Sequence, residues 1–209
     1  DLLRWAATAQ RTASDPRSPL TRRLAMAALV TGNEATTSVI ERGLNDSDAE
    51  VRRFAAPAAA TDAKIDERDR VIKIALADKE PRVRFEALRA WGRHFQKTSC
   101  APIRAALKDS NPHVMLQAID QLANPCPAAE SPAADLATIA ESLNNTPRTW
   151  HAPAHAIVSL ARIQPEAARK LLPRFVQHTT WQVRMYSARA AGVLSSMGDL
   201  NTLVGDNND

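Results

Sequence analysis

An all-α solenoid of about six antiparallel helical hairpins is the fold this sequence predicts. Three observations lead there: a phrase that recurs at a near-constant interval, apolar residues at helical spacing on both sides of it, and few of the residues that β-turns need. The phrase reads LNDSDAEVRRFAA (44–56), LADKEPRVRFEAL (76–88) and LKDSNPHVMLQAI (107–119). Aligned on Leu44, Leu76 and Leu107, each copy has Asp two residues on (Asp46, Asp78, Asp109) and Val seven on (Val51, Val83, Val114). Two looser copies run from Leu143 through Asn145 to Trp150 and from Val176 through His178 to Val183. Successive anchors lie 32, 31, 36 and 33 residues apart, a period that marks an array built from one supersecondary unit.

The copy at Leu76 shows what the unit is. In DERDRVIKIALAD, the residues Val71, Ile72, Ile74, Ala75 and Leu76 form one helical face. Asp78-Lys79-Glu80-Pro81 then ends one helix and starts the next, Pro81 fitting a first turn where a missing N–H costs nothing. Val83, Phe85, Ala87, Leu88 and Trp91 populate the second helix. Each unit is therefore helix A, a tight turn and helix B. Neither helix hides its apolar stripe alone, so neighbouring units must stack. The expected units span about 1–31, 33–62, 65–95, 100–124, 132–163 and 165–196, with the start of another at 198–209, all in one continuous domain. In the first, DLLRWAATAQ supplies helix A, and Thr21-Arg22-Arg23-Leu24-Ala25 repeats the pattern of Val51-Arg52-Arg53-Phe54-Ala55. Pro16 and Pro19 lengthen that unit's turn, as suits a cap. At the other end Val204, Asp206 and Asn208 stand where Leu107, Asp109 and Asn111 stand in the fourth unit. That pattern implies either a fragment of a longer protein or a frayed last unit.

Composition agrees. Hydrophobic residues make up 44% and charged residues 24% of the 209, a globular balance. Only 6 are Gly, and aromatics are 4%. Abundant Ala favours closely packed helices. No apolar run reaches the roughly 18 residues of a membrane span. The opening DLLRWAATAQ lacks a signal peptide's basic start and apolar centre, although a chain beginning at Asp1 leaves a removed leader open. The formal charge of +4 is spread along the chain and builds no basic arm.

The phrase L-x-D-x-[DEN]-x-x-V-R with an Ala-rich helix after it resembles the HEAT-repeat family, especially its short bacterial HEAT-like class, over roughly residues 2–205. The resemblance implies a right-handed superhelix whose B helices line a concave face. It places Asp46, Asp78 and Asp109 in the A–B turns and joins them with Arg52, Arg84 and Arg184 in an internal ladder. That ladder is interrupted where Met115 and His151 replace Arg. Pro57 and Pro153 fall within B helices, where each is expected to cause a bend, Pro153 less so if its helix starts near Trp150. HEAT-like arrays also occur joined to cyclophilin-type peptidyl-prolyl isomerase domains, and nothing in this chain resembles the isomerase itself.

Candidate chemistry is sparse. Cys100 opens helix A of the fourth unit and Cys126 follows its helix B, so a hairpin brings them side by side. The expected state is a disulfide, which implies an oxidising compartment and an exported protein, against two unpaired thiols. His151 and His155 share a helix face, but zinc needs further ligands and no H-E-x-x-H is present; surface histidines are the expected reading. Among the tryptophans, Trp91 is a core residue, Trp5 belongs to the first helix A, and Trp150 and Trp181 lie near A–B turns. If B helices line the concave face, Arg22, Arg53, Arg82, Arg89, Trp150, Trp181 and Arg189 are its binding candidates. Local pairing with Glu50, Glu80, Glu86 and Asp120 is the simpler fate of the arginines. No catalytic motif, metal or cofactor is expected. The sequence thus leads to a non-catalytic scaffold for a protein or peptide. Its alternatives are the targeting region of a peptidyl-prolyl isomerase, or nucleic-acid binding through the arginines.

Overall fold

The computed structural model describes residues 9, 11–12, 18–61, 68–144 and 149–206. These residues contain twelve α-helices and two short 3-10 turns, and no strand. Residues 1–8 of the first helix A, Trp5 among them, together with Pro16, the turn residue Asn145 and the terminal Asn208, lie outside the described residues. The chain forms two compact units, 1–95 and 96–209.

In the first unit, α1 (Pro19–Thr31) is a B helix. It is followed by the hairpin α2 (Thr37–Leu44) and α3 (Ala49–Thr61), then by α4 (Arg68–Leu76) and α5 (Pro81–His94). The Ser18 side chain accepts the Thr21 N–H at 3.2 Å and Pro19 takes the first helical position, which sets the start of α1. The B helices pack in a row, α1 on α3 and α3 on α5, with α2 and α4 behind them. Met26, Leu29, Val51, Ala55, Val83, Leu88 and Trp91 are buried along that row. Gly43 lets α2 approach closely: a Cβ there would lie 2.5 Å from Met26 Cε and 2.9 Å from Ala55 Cβ. Pro57 lies inside α3, and its missing N–H withholds the usual bond from the Arg53 carbonyl.

In the second unit, α6 (Ala101–Ala105) is short and tightens into a 3-10 turn at Ala106–Lys108 before α7 (Pro112–Gln121). Then come α8 (Ala133–Glu141) with α9 (His151–Ile163), α10 (Pro165–Val176) with α11 (Trp181–Leu194), and α12 (Met197–Val204). Again the B helices form a row, α7 on α9 and α9 on α11. Cys100 and Cys126 are bonded, with Cα atoms 5.7 Å apart. The bridge ties the start of α6 to the chain after α7. Beside it, Gln96 Nε2 donates to the Gln121 and Asn124 carbonyls at 2.9 and 3.1 Å.

Anchors Val51, Val83, Val114 and Val183 are buried, as are Leu44, Leu143 and Val176; Leu76 and Leu107 are half-buried. The fifth unit departs from the expected spacing. Trp150 is the N-cap of α9 and half-buried, and the first buried residue of that helix is Pro153. Pro153 falls in the first turn, where no N–H is required of it. The residue after this anchor is Ala154, fully buried, so a small apolar side chain stands where Arg52, Arg84 and Arg184 stand in their units.

Candidate functional site

Most of the arginine charge belongs to the fold. Arg22 was expected on an open face; it is instead buried and grips Asp46 through two bonds, Nε–Oδ2 at 2.7 Å and Nη2–Oδ1 at 2.9 Å. Arg52 holds Asp78 in the same way at 2.7 and 3.1 Å, and Arg184 holds Asp206. The remaining nitrogen reaches back to the chain's own turn. Arg52 Nη1 donates to the Asp46 and Ser47 carbonyls, Arg84 Nη1 to Asp78 and Lys79, and Arg184 Nη1 to His178 and Thr179. Each of these arginines thus fastens the turn before its own helix. Arg22, Arg52 and Arg184 also clasp the carboxylate of the next turn, in the bidentate geometry that suits guanidinium.

The turn carboxylates also cap backbone. Asp46, Asp78 and Asp109 each accept, through Oδ1, the N–H two residues on, all at 2.8 Å. In the sixth unit His178 takes this part, its Nδ1 accepting the Thr180 N–H at 3.0 Å. Burial alone would raise the pKa of Asp46 and Asp78; the Arg22 and Arg52 guanidinium groups and the turn N–H groups outweigh it and hold both below the usual carboxylate range. Asp48, bonded by Arg23, is held at about 2.

On the helix-B face of the first unit the arginines also find acids. Arg53 meets Glu50 at 2.9 Å and lies over Phe54, Arg82 approaches Glu50 at 3.7 Å, and Arg89 approaches Glu86 at 3.5 Å. The face of the second unit is different. His155 Nδ1 lies 2.7 Å from Asp120 Oδ1, and His155 Nε2 lies 2.7 Å from the Tyr186 hydroxyl. An ionised carboxylate only accepts, so Nδ1–H donates to Asp120; with the proton on Nδ1, the Nε2 of a neutral ring accepts from the Tyr186 O–H. One polar relay therefore joins three consecutive B helices, α7, α9 and α11. Arg189 lies over the Tyr186 ring at 4.8 Å. Trp150 stacks on His151 at 3.8 Å and approaches Tyr186 at 6.2 Å. Trp181, at the start of α11, is 47% exposed.

The sequence-derived candidates thus separate. Arg22 lies in the core-side ladder, Arg53, Arg82 and Arg89 lie beside carboxylates, and Trp150, Trp181 and Arg189 share the face of the second unit. Tyr186 is not among the sequence-derived candidates, Asp120 enters there only as a pairing partner for arginine, and His155 only as a possible metal ligand. Both ring nitrogens of His155 are engaged, and among the described residues no three His, Cys, Asp or Glu side chains gather as metal ligands. The available signal was register: Asp120 stands six after Val114 and Tyr186 three after Val183.

With this geometry in view, residues 68–152 match the family model for HEAT repeats. A solved structure, an engineered protein from the Northeast Structural Genomics Consortium, aligns over 91% of this chain and 89% of its own at 20% identity and a TM-score of 0.46. No curated protein matches the sequence. HEAT repeats in general serve protein interactions through long stacked surfaces. Among the described residues no helix is long and apolar enough to cross a membrane.

Proposed function

We propose that this chain is a non-catalytic scaffold that binds a protein or peptide on its helix-B surface. The carrying observation is the relay from Asp120 through His155 to Tyr186. It ties together side chains of three successive helices, including the Tyr186 ring beneath Arg189, before any partner arrives, and a preordered surface loses less entropy on binding. The arginine pairing argues against nucleic acid, because Arg22, Arg23, Arg52, Arg53 and Arg184 all neutralise carboxylates of the chain itself. The disulfide supports residence in an oxidising compartment.

Panning a random-peptide display library against the full chain tests this reading. Enriched peptides should lose binding to Trp181→Ser and Met185→Ser variants and keep it with Lys73→Glu, a change on the A helix α4. Peptides that map to A helices, or a library that yields no binder, would overturn it.

A further inference from the structure

We propose that the partner of this face is an amphipathic acidic segment, whose apolar side chains cover Trp181, Met185 and Val193 and whose carboxylate pairs with Arg189. This rests on the scaffold reading above and adds the chemistry of what is bound.

The first support is an apolar ridge. Trp181, Met185, Arg189 and Val193 follow one another at intervals of four, so they run along one side of α11. The ridge is about 18 Å long at the rise of an α-helix. Trp181, Met185 and Val193 are 47%, 37% and 41% exposed. Of the other B helices, α1 exposes Leu20 and Leu24, whereas α3, α5, α7 and α9 expose no large apolar side chain among their described residues. Their corresponding positions hold Arg53 and Pro57, Phe85 and Arg89, Leu116 and Asp120, His155 and Ser159. Nothing in the packing of α11 on α9 needs the ridge residues apolar, since Val183, Ser187, Ala190, Ala191 and Leu194 are the ones buried there.

The second support is charge. Of the five arginines that the sequence nominates for this surface, Arg22, Arg53, Arg82 and Arg89 each have a carboxylate within ion-pair distance. Arg189 has an aromatic ring instead, and no ion pair among the described residues. The relay holds that ring: Tyr186 is pinned by His155, and His155 by Asp120. Arg189 therefore stands half-ordered in the middle of the ridge, its guanidinium edge suited to a carboxylate. A phosphate backbone would call for several uncompensated cations, whereas this ridge offers one between apolar neighbours. An acid flanked by apolar side chains matches it.

The test uses peptides enriched by the same panning. They should carry Asp or Glu within an apolar helical pattern. Arg189→Glu should weaken binding at least about tenfold, as for an interface anchor, and Lys in place of the peptide's acid should restore affinity to that variant. Tyr186→Phe keeps the ring under Arg189 and loses the relay, so its loss should be smaller, about two- to fivefold. Unchanged helical circular dichroism checks that each variant is folded. Peptides that need Trp181 but lack an acid, or ignore Arg189→Glu, would overturn this inference and leave the scaffold reading standing. A library with no binder would overturn both. Salt-sensitive, Arg189-dependent binding of an oligothymidylate, with no peptide selected, would replace the acidic segment with nucleic acid.

Discussion

The helix-B faces of the two units are built on one repeat and differ in where their charge goes. In the first unit, Arg53 turns to Glu50 and Arg89 to Glu86, so the face is electrostatically closed on itself. In the second, Asp120 is engaged by His155, Tyr186 completes the relay, and Arg189 is left with a ring rather than an acid. The core does not dictate this difference. Buried positions such as Val51, Val83, Val114 and Val183 are conserved in role across both units, while the outward positions of each B helix vary freely without unpacking the row. A repeat array thus separates the residues that make it stand from those that give it a job.

The largest effect should come from the part the comparison treats as structural. Arg52→Ala leaves Asp78 without its bidentate partner, both side chains being only 7% exposed. A loss of about 3–5 kcal/mol in urea unfolding is expected, as for breaking a buried pair. Arg53→Ala, on the outward face, should cost about 0.2–1 kcal/mol. Similar losses would erase the distinction between ladder and surface.

Next in size is the bond that only the second unit has. Replacing Cys100 and Cys126 by Ser opens a loop with a sequence separation of 26 and should cost about 3 kcal/mol. Hydrogen exchange should show α6 and α7 losing more protection than α2 and α3. Uniform loss would mean that the bridge is not a local clamp. Smaller still is Tyr186→Phe, which removes one hydrogen bond of the relay and should cost about 1 kcal/mol by thermal or urea unfolding. No loss would mean that the relay contributes nothing to joining α9 and α11.

Acid should act mostly through the turns. Asp46, Asp48 and Asp78 have folded pKa values below their unfolded ones, near 3.9. Their contribution is therefore complete above about pH 4 and is lost as pH falls through the folded values, about 2 for Asp48. Arg23→Ala should raise the Asp48 value and flatten this acid limb, which carboxyl NMR titration reads directly.

The anchors made the fold legible. A Leu or Val followed seven residues later by a buried Val, with an acid in the turn between, leaves few alternatives to stacked hairpins. Where an insertion shifts the register the pattern misleads: it chose Trp150, and the structure buries Pro153. Arg22 was aligned with Arg52 in the sequence yet assigned to the open face. Its carboxylate partner lies 24 residues away in the next turn, and only stacking brings the two together. The relay was invisible for the same reason. His155 meets partners 35 residues before it and 31 after it, and the shifted register of α9 hides that the three side chains lie abreast.

The claim on which the contrast between the two faces rests is that Asp120, His155 and Tyr186 form one oriented chain. Nitrogen-15 NMR of the His155 ring at about pH 8, where an ordinary imidazole is neutral, addresses it directly. The account predicts the Nδ1–H tautomer, with Nε2 shifted as an acceptor and returning toward a free-ring value in Tyr186→Phe. An Nε2–H tautomer, or a ring averaging between the two and indifferent to Tyr186, would contradict it.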